Sequence, residues 1–97
     1  MTRDRIAEAW EQHRENDWPR FTSPHEGQLM TLDTVISGCV VFYLDSPDGL
    51  DQQRVAIVQD CLGDLDDLTE ELDSDAQAYF IRLRQLGAML LSAAPPA

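Results

Sequence analysis

The stretch Gln28 to Leu44, QLMTLDTVISGCVVFYL, decides how the chain is read. Leu29, Leu32, Ile36, Cys39, Val40 and Tyr43 recur at steps of three, four and one, which places them on one stripe of an α-helix. Met30, Val35, Val41 and Phe42 then set apolar side chains on much of the remaining circumference. A helix that is apolar nearly all round is buried on several sides, so this segment is expected at the centre of a fold or partly in a subunit contact. Val40 and Val41 would also suit a strand, but a lone strand with no pairing segment has nowhere to form its ladder.

Outward from that segment the same period continues. Ser46-Pro47-Asp48-Gly49 is a turn signal. Beyond it, Val55, Val58, Leu62, Leu65, Leu68 and Leu72 predict a third helix over about Asp51 to Leu72, with Gly63 inside it as a site for a kink or break. Ser74-Asp75-Ala76-Gln77 has the pattern of a capping box, with Ser74 as the cap and Gln77 reaching back. A fourth helix then runs to about Leu91, with Ala76, Tyr79, Phe80, Leu83, Leu86, Gly87 and Leu90 on one face. Residues 92–97, ending in Pro95-Pro96, are expected as a frayed tail.

Towards the N-terminus, residues 17–27 are rich in proline, serine and threonine and read as an ordered loop tethered by Trp18 and Phe21. A first, shorter helix is predicted from about Arg3 to Asn16, with Ile6, Ala9, Trp10 and His13 on its apolar side. Short links make sequential helices antiparallel neighbours. The expectation is one all-α domain over residues 1–97, a four-helix bundle-like arrangement closed on one side by the shorter first helix.

Composition narrows the function classes. The 97 residues carry 18 acids against 7 bases, a formal charge of −11. All seven bases are arginine, which excludes Schiff-base chemistry and a P-loop phosphate lysine. A negative field repels nucleic acid and anionic lipid and attracts a basic protein, so neither nucleic acid nor membrane is expected as a direct partner. Arg3, Asp4 and Arg5 stand where a leader would need an apolar run, and no stretch reaches the roughly 18–20 apolar residues of a bilayer span. A cytoplasmic location is the expectation. Cys39 and Cys61 are too few and too far apart for a zinc site. On a hairpin turning near residues 46–50 they stagger by about four residues, roughly 6 Å along the helix axis, so both are expected reduced in the core.

The charge is concentrated. Asp60, Asp64, Asp66, Asp67, Glu70, Glu71, Asp73 and Asp75 form a run with no base among them, and residues 60–75 hold −8 of the total −11. On a helix wheel Asp60, Asp64, Asp67 and Glu71 share one narrow stripe, with Asp66 and Glu70 beside it, opposite the leucines. Such i,i+4 like-charge pairs destabilise a helix, and a surface selected for stability alone interleaves lysine. The stripe is therefore expected as a solvated face, as a docking face for a basic protein or, as the third reading, as carboxylates that hold a divalent metal ion. A calcium loop is excluded because Asp64-Leu65-Asp66-Asp67 lacks the glycine and the spacing.

Other constellations are thin. Asp33 lies between Leu29, Ile36 and Val40 on the inward sector of the second helix, so it needs a partner, for which the arginines are the candidates. No Glu-x-x-His pair is present, the acids cluster on one helix, and His13 and His25 make no metal site. No catalytic group and no cofactor or metal is expected, and a metal-dependent hydrolase is the weakest reading. The leading one is a small acidic binding module, of inhibitor, immunity or nucleic-acid-mimic type, whose partner contacts are Asp60, Asp64, Asp66, Asp67, Glu70 and Glu71. The alternative is a self-associating structural or adaptor domain, a homodimer touching through Met30, Val41, Ile81 and Ala88, which sit off the main core stripes.

Overall fold

The most apolar segment folds as the helix its spacing predicts, and three others cover it. The computed structural model describes residues 2–46 and 48–93. It contains α1 (Thr2–Arg14), α2 (Glu26–Asp45), α3 (Gln52–Thr69) and α4 (Ser74–Ala93), with no strand among the described residues. The protein is an all-α, four-helix bundle-like fold.

Direction follows from cross-contacts. Arg3 reaches Tyr43 and Leu44 while His13 reaches Asp33, so α1 is antiparallel to α2. Gln77 meets Thr69 and Arg84 meets Asp66, so α3 and α4 are antiparallel as well. Both α2 and α4 pack against every other helix, whereas α1 and α3 make no contact with each other. The bundle is thus a central α2–α4 pair flanked by α1 on one side and α3 on the other. Its extents of 39 × 25 × 16 Å fit a plate two helices thick.

One hydrophobic core joins all four helices. Ile6 of α1, Leu29, Ile36 and Val40 of α2, Val58 and Leu65 of α3, and Phe80, Leu83, Leu86 and Leu90 of α4 are fully enclosed. Trp18 and Phe21 tether the first loop as expected, meeting Phe80 at ring-centroid distances of 5.6 and 6.0 Å. At 20 residues α2 is, by length and composition, apolar enough to cross a bilayer, which corrects the expectation that no segment approaches that size. Here its inner stripe lies against protein.

Helix ends differ in detail from the sequence reading. Asp73, not Ser74, caps α4, accepting from the Ala76 amide at 3.0 Å, and the Gln77 side chain instead donates to the Thr69 and Glu70 carbonyls closing α3. The expected capping box is therefore shifted by one residue and turned into a splice between two helices. Asp51 caps α3 at the Arg54 amide, 2.8 Å away. Arg3 takes up the terminal carbonyls of α2, at 2.9 Å to Tyr43 and 3.3 Å to Leu44, and donates to Ser46 at 2.9 Å. A cation at a helix C-terminus also complements the macrodipole. The turn after α2 uses Gly49 at φ +77°, a conformation that glycine adopts without a Cβ clash. Pro47 and residues 94–97, with most of the expected frayed tail, lie outside the described residues.

Two glycines have opposite roles. Gly63 was expected to kink α3, yet the helix runs through it, and a Cβ there would meet nothing within 4 Å. At Gly87 of α4 a Cβ would stand 2.7 Å from Leu62 Cδ2, so the missing side chain lets α3 and α4 approach. Gly63→Ala is therefore expected to stabilise the fold by up to about 1 kcal/mol through helix propensity. Gly87→Val should cost about 1–3 kcal/mol by overpacking, and thermal or urea denaturation of the two variants checks the pair of signs.

Candidate functional site

Two arrangements of polar groups stand out, one inside the bundle and one on its surface. The inner one centres on Asp33, which the register of α2 turns towards α1 and α4. His13 Nε2 lies 3.0 Å from Asp33 Oδ1, and the Tyr79 hydroxyl donates to Asp33 Oδ2 at 3.0 Å. A carboxylate only accepts, so His13 carries its proton on Nε2. The partners of Asp33 are thus an imidazole and a phenol, not the arginine expected from the sequence. Neither was singled out beforehand, because His13 and Tyr79 were read from the apolar stripes they occupy. Their three- and four-residue spacings to apolar neighbours gave no sign of a polar meeting point.

This cluster is a tie between helices and offers little access for chemistry. His13 is only 5% exposed, its ring faces Tyr79 at 4.8 Å and stacks on Trp10 at 6.1 Å, and its Nδ1 is enclosed without a hydrogen-bond partner among the described residues. Burial, and then the negative charge of Asp33, push the Tyr79 phenol well above its ordinary value of about 10. A raised pKa in the folded state means that this contribution is fully present below the unfolded value and is lost as pH rises past it. Tyr79→Phe is expected to lower stability at neutral pH by about 1–2 kcal/mol, since one Asp33 oxygen loses its donor. It should also flatten the fall in stability of the wild type above about pH 10, which denaturant titrations at neutral and alkaline pH would reveal.

The outer arrangement is the acidic face of α3. Asp60, Asp64, Asp66 and Asp67 are exposed on α3, whose buried residues are Val58, Cys61, Leu62 and Leu65, whereas Glu70 and Glu71 are exposed in the link beyond its end at Thr69 and not on the helix that the sequence predicts through Leu72. The structure separates one member from the rest. Asp66 leans towards α4, where Arg84 donates to it at 2.6 and 3.2 Å, and that hydrogen-bonded guanidinium holds the carboxyl below its usual range. The sequence reading saw no base within the run, because Arg84 arrives from the next helix. Asp60, Asp64, Asp67, Glu70 and Glu71 form no ion pair among the described residues.

Cys39 and Cys61 are free and buried, and burial raises both thiols above the ordinary cysteine range, which leaves them protonated and unreactive at neutral pH. Among the described residues no group of three or more histidine, cysteine or acidic side chains is placed to hold a metal ion.

The four residues expected at a dimer contact do not form one patch. Met30 and Val41 are exposed on the outer side of α2, 49% and 44% accessible. Ile81, 50% accessible, lies on α4 opposite Leu83, and the inner face of α4 is the one packed on α2, so Ile81 points away from Met30 and Val41 through the thickness of the plate. Ala88 is half-buried beside Arg5 and Met89, towards α1. No protein-family model, curated protein or solved structure matches this chain.

Proposed function

We propose that this protein is a small acidic binding module that offers the outer face of α3 to a basic surface on another protein. The observation that supports this most is the set of exposed carboxylates at Asp60, Asp64, Asp67, Glu70 and Glu71 that the fold leaves without a cation. Four of the seven arginines serve as caps or partners: Arg3 on the end of α2, Arg54 on Asp51, Arg84 on Asp66 and Arg14 on Glu11. An uncompensated stripe on a helix works against its own stability and in favour of long-range attraction to positive charge. Such a surface steers encounter and sets register, which is the physical requirement on an inhibitor or immunity-type protein that covers a basic site.

Exchanging Asp60, Asp64 and Asp67 for asparagine and Glu71 for glutamine should leave the melting temperature unchanged or slightly raised, because like charges are removed from adjacent turns. The same variant should associate with the partner at least about tenfold more slowly, while the wild type loses its rate advantage as salt is raised through the screening range. Affinity capture from the source cell with both forms, followed by association kinetics on what is captured, measures this. A partner held equally by wild type and variant would remove the acidic face from the function, and a fall in melting temperature would show that the carboxylates are structural.

A further inference from the structure

The acidic stripe does not end in solvent on every side. Ile57, Asp60, Asp64 and Asp67 follow one another along α3 at steps of three and four, so the stripe begins with an exposed apolar residue, Ile57, 37% accessible. Ile57 and Gln53 form one wall of a hollow of 380 Å³ between α3 and α2, whose opposite wall is Thr34, Val35, Gly38, Cys39 and Phe42. Arg54 closes one end, with its guanidinium 3.7 Å above the Phe42 ring. Asp60 and Asp64 stand one and two turns beyond Ile57 on the same stripe of α3. The α3 wall of the hollow, which mixes apolar and polar side chains, thus continues into two carboxylates. Gly38 lies in the middle of α2 on the wall of the hollow, and a Cβ added to it would meet nothing within 4 Å, so the position opens directly onto the hollow.

We infer that the groove between α2 and α3 receives an amphipathic helix of the partner protein, its apolar stripe on Val35, Gly38, Phe42 and Ile57 and its basic edge on Asp60 and Asp64. The inference rests on the reading of the α3 face as the docking face and adds the shape of what docks there. Apolar anchors laid into a groove between two helices are a recurrent mode of helix recognition, and flanking charge fixes which edge of the ligand faces which wall. A second copy of this chain does not meet the charge requirement. It brings a further −11, and four of its seven arginines, Arg3, Arg14, Arg54 and Arg84, are already engaged within the fold.

The test uses two synthetic 18-residue peptides of identical leucine, lysine and alanine composition, one patterned as an amphipathic helix and one scrambled so that no apolar face forms. The patterned peptide is expected to bind the wild-type protein at least about tenfold more tightly than the scrambled one, a difference of about 1.4 kcal/mol. Gly38→Phe, which fills the hollow from an open position, should abolish that difference without changing the affinity for the scrambled peptide. Asp60→Asn with Asp64→Asn should weaken both peptides, and Ile81→Ser, on the far side of the plate, should alter neither. Equal binding of the two peptides, or a patterned peptide indifferent to Gly38→Phe, overturns the groove while leaving the acidic face standing. Failure of the wild type to bind either peptide overturns both. Sedimentation run in parallel covers the other occupant: a dimer of the wild-type chain that Gly38→Phe dissolves would assign the groove to a second copy and overturn the inference.

Discussion

The inner face of α4 is the constraint from which the rest of the bundle follows. Ala76, Tyr79, Phe80, Leu83, Leu86, Gly87 and Leu90 are all buried along it, a stripe too broad for one neighbouring helix to cover. Full burial of each large apolar side chain contributes about 1.5–3 kcal/mol, so the chain gains most by bringing α1, α2 and α3 onto this single surface. Phe80 takes the Trp18 and Phe21 rings from the first loop, Gly87 admits Leu62 of α3, and Tyr79 meets both Asp33 of α2 and His13 of α1. The irregular segment from residue 15 to residue 25 has its place because two of its aromatic rings do.

Much of this was legible in the sequence, and what was not has a common cause. The apolar periods of α2 and α4 named their buried residues correctly because burial in a helical bundle is decided by spacing along one helix, while that of α3 included Val55 and Leu68, which are half-buried, and left out the buried Cys61. Helix ends were less well placed: α3 stops at Thr69 although Leu72, in the following link, is still buried, so a continuing apolar period concealed the end of the helix. The partners of Asp33 and of Asp66 depend on which turns of different helices meet. Counting arginines as the only partners available to Asp33 passed over His13, whose Nε2 stands 3.0 Å from its carboxyl. The acidic run was visible as composition, but the groove beside it was not, because Ile57 was read as no part of the core stripe and Gly38 as an ordinary member of α2.

Charge in this protein is divided between two uses. At the ends of helices acids and arginines are spent singly, each on a defined set of backbone groups: Asp51 and Asp73 on exposed amides, Arg3 on exposed carbonyls. Such contacts depend on geometry and are only weakly sensitive to salt. Along the middle of α3 the carboxylates are repeated without partners, and their combined field acts at a distance and is screened readily. The absence of lysine sharpens the division, since arginine, with its planar fork of donors, suits fixed bidentate contacts better than a mobile positive coat.

The manner in which α1 is fastened has a consequence for how the molecule moves. Ile6 is the one fully enclosed apolar side chain that α1 supplies, while polar attachments hold its two ends, Arg3 to the end of α2 and His13 to Asp33. Polar anchors of this kind hold position while contributing modest net free energy, about 0.5–1.5 kcal/mol for an ordinary hydrogen bond. The first helix, although Ala9 and Trp10 also pack on the core, is therefore expected to be the unit of lowest local stability, opening before α2, α3 and α4 lose their shared core. In hydrogen exchange its amides would form a separate, faster class, with the slowest protons on the apolar faces of the three longer helices. The acidic face of α3 would then sit on the part of the molecule that opens last, which keeps the spacing of its carboxylates fixed.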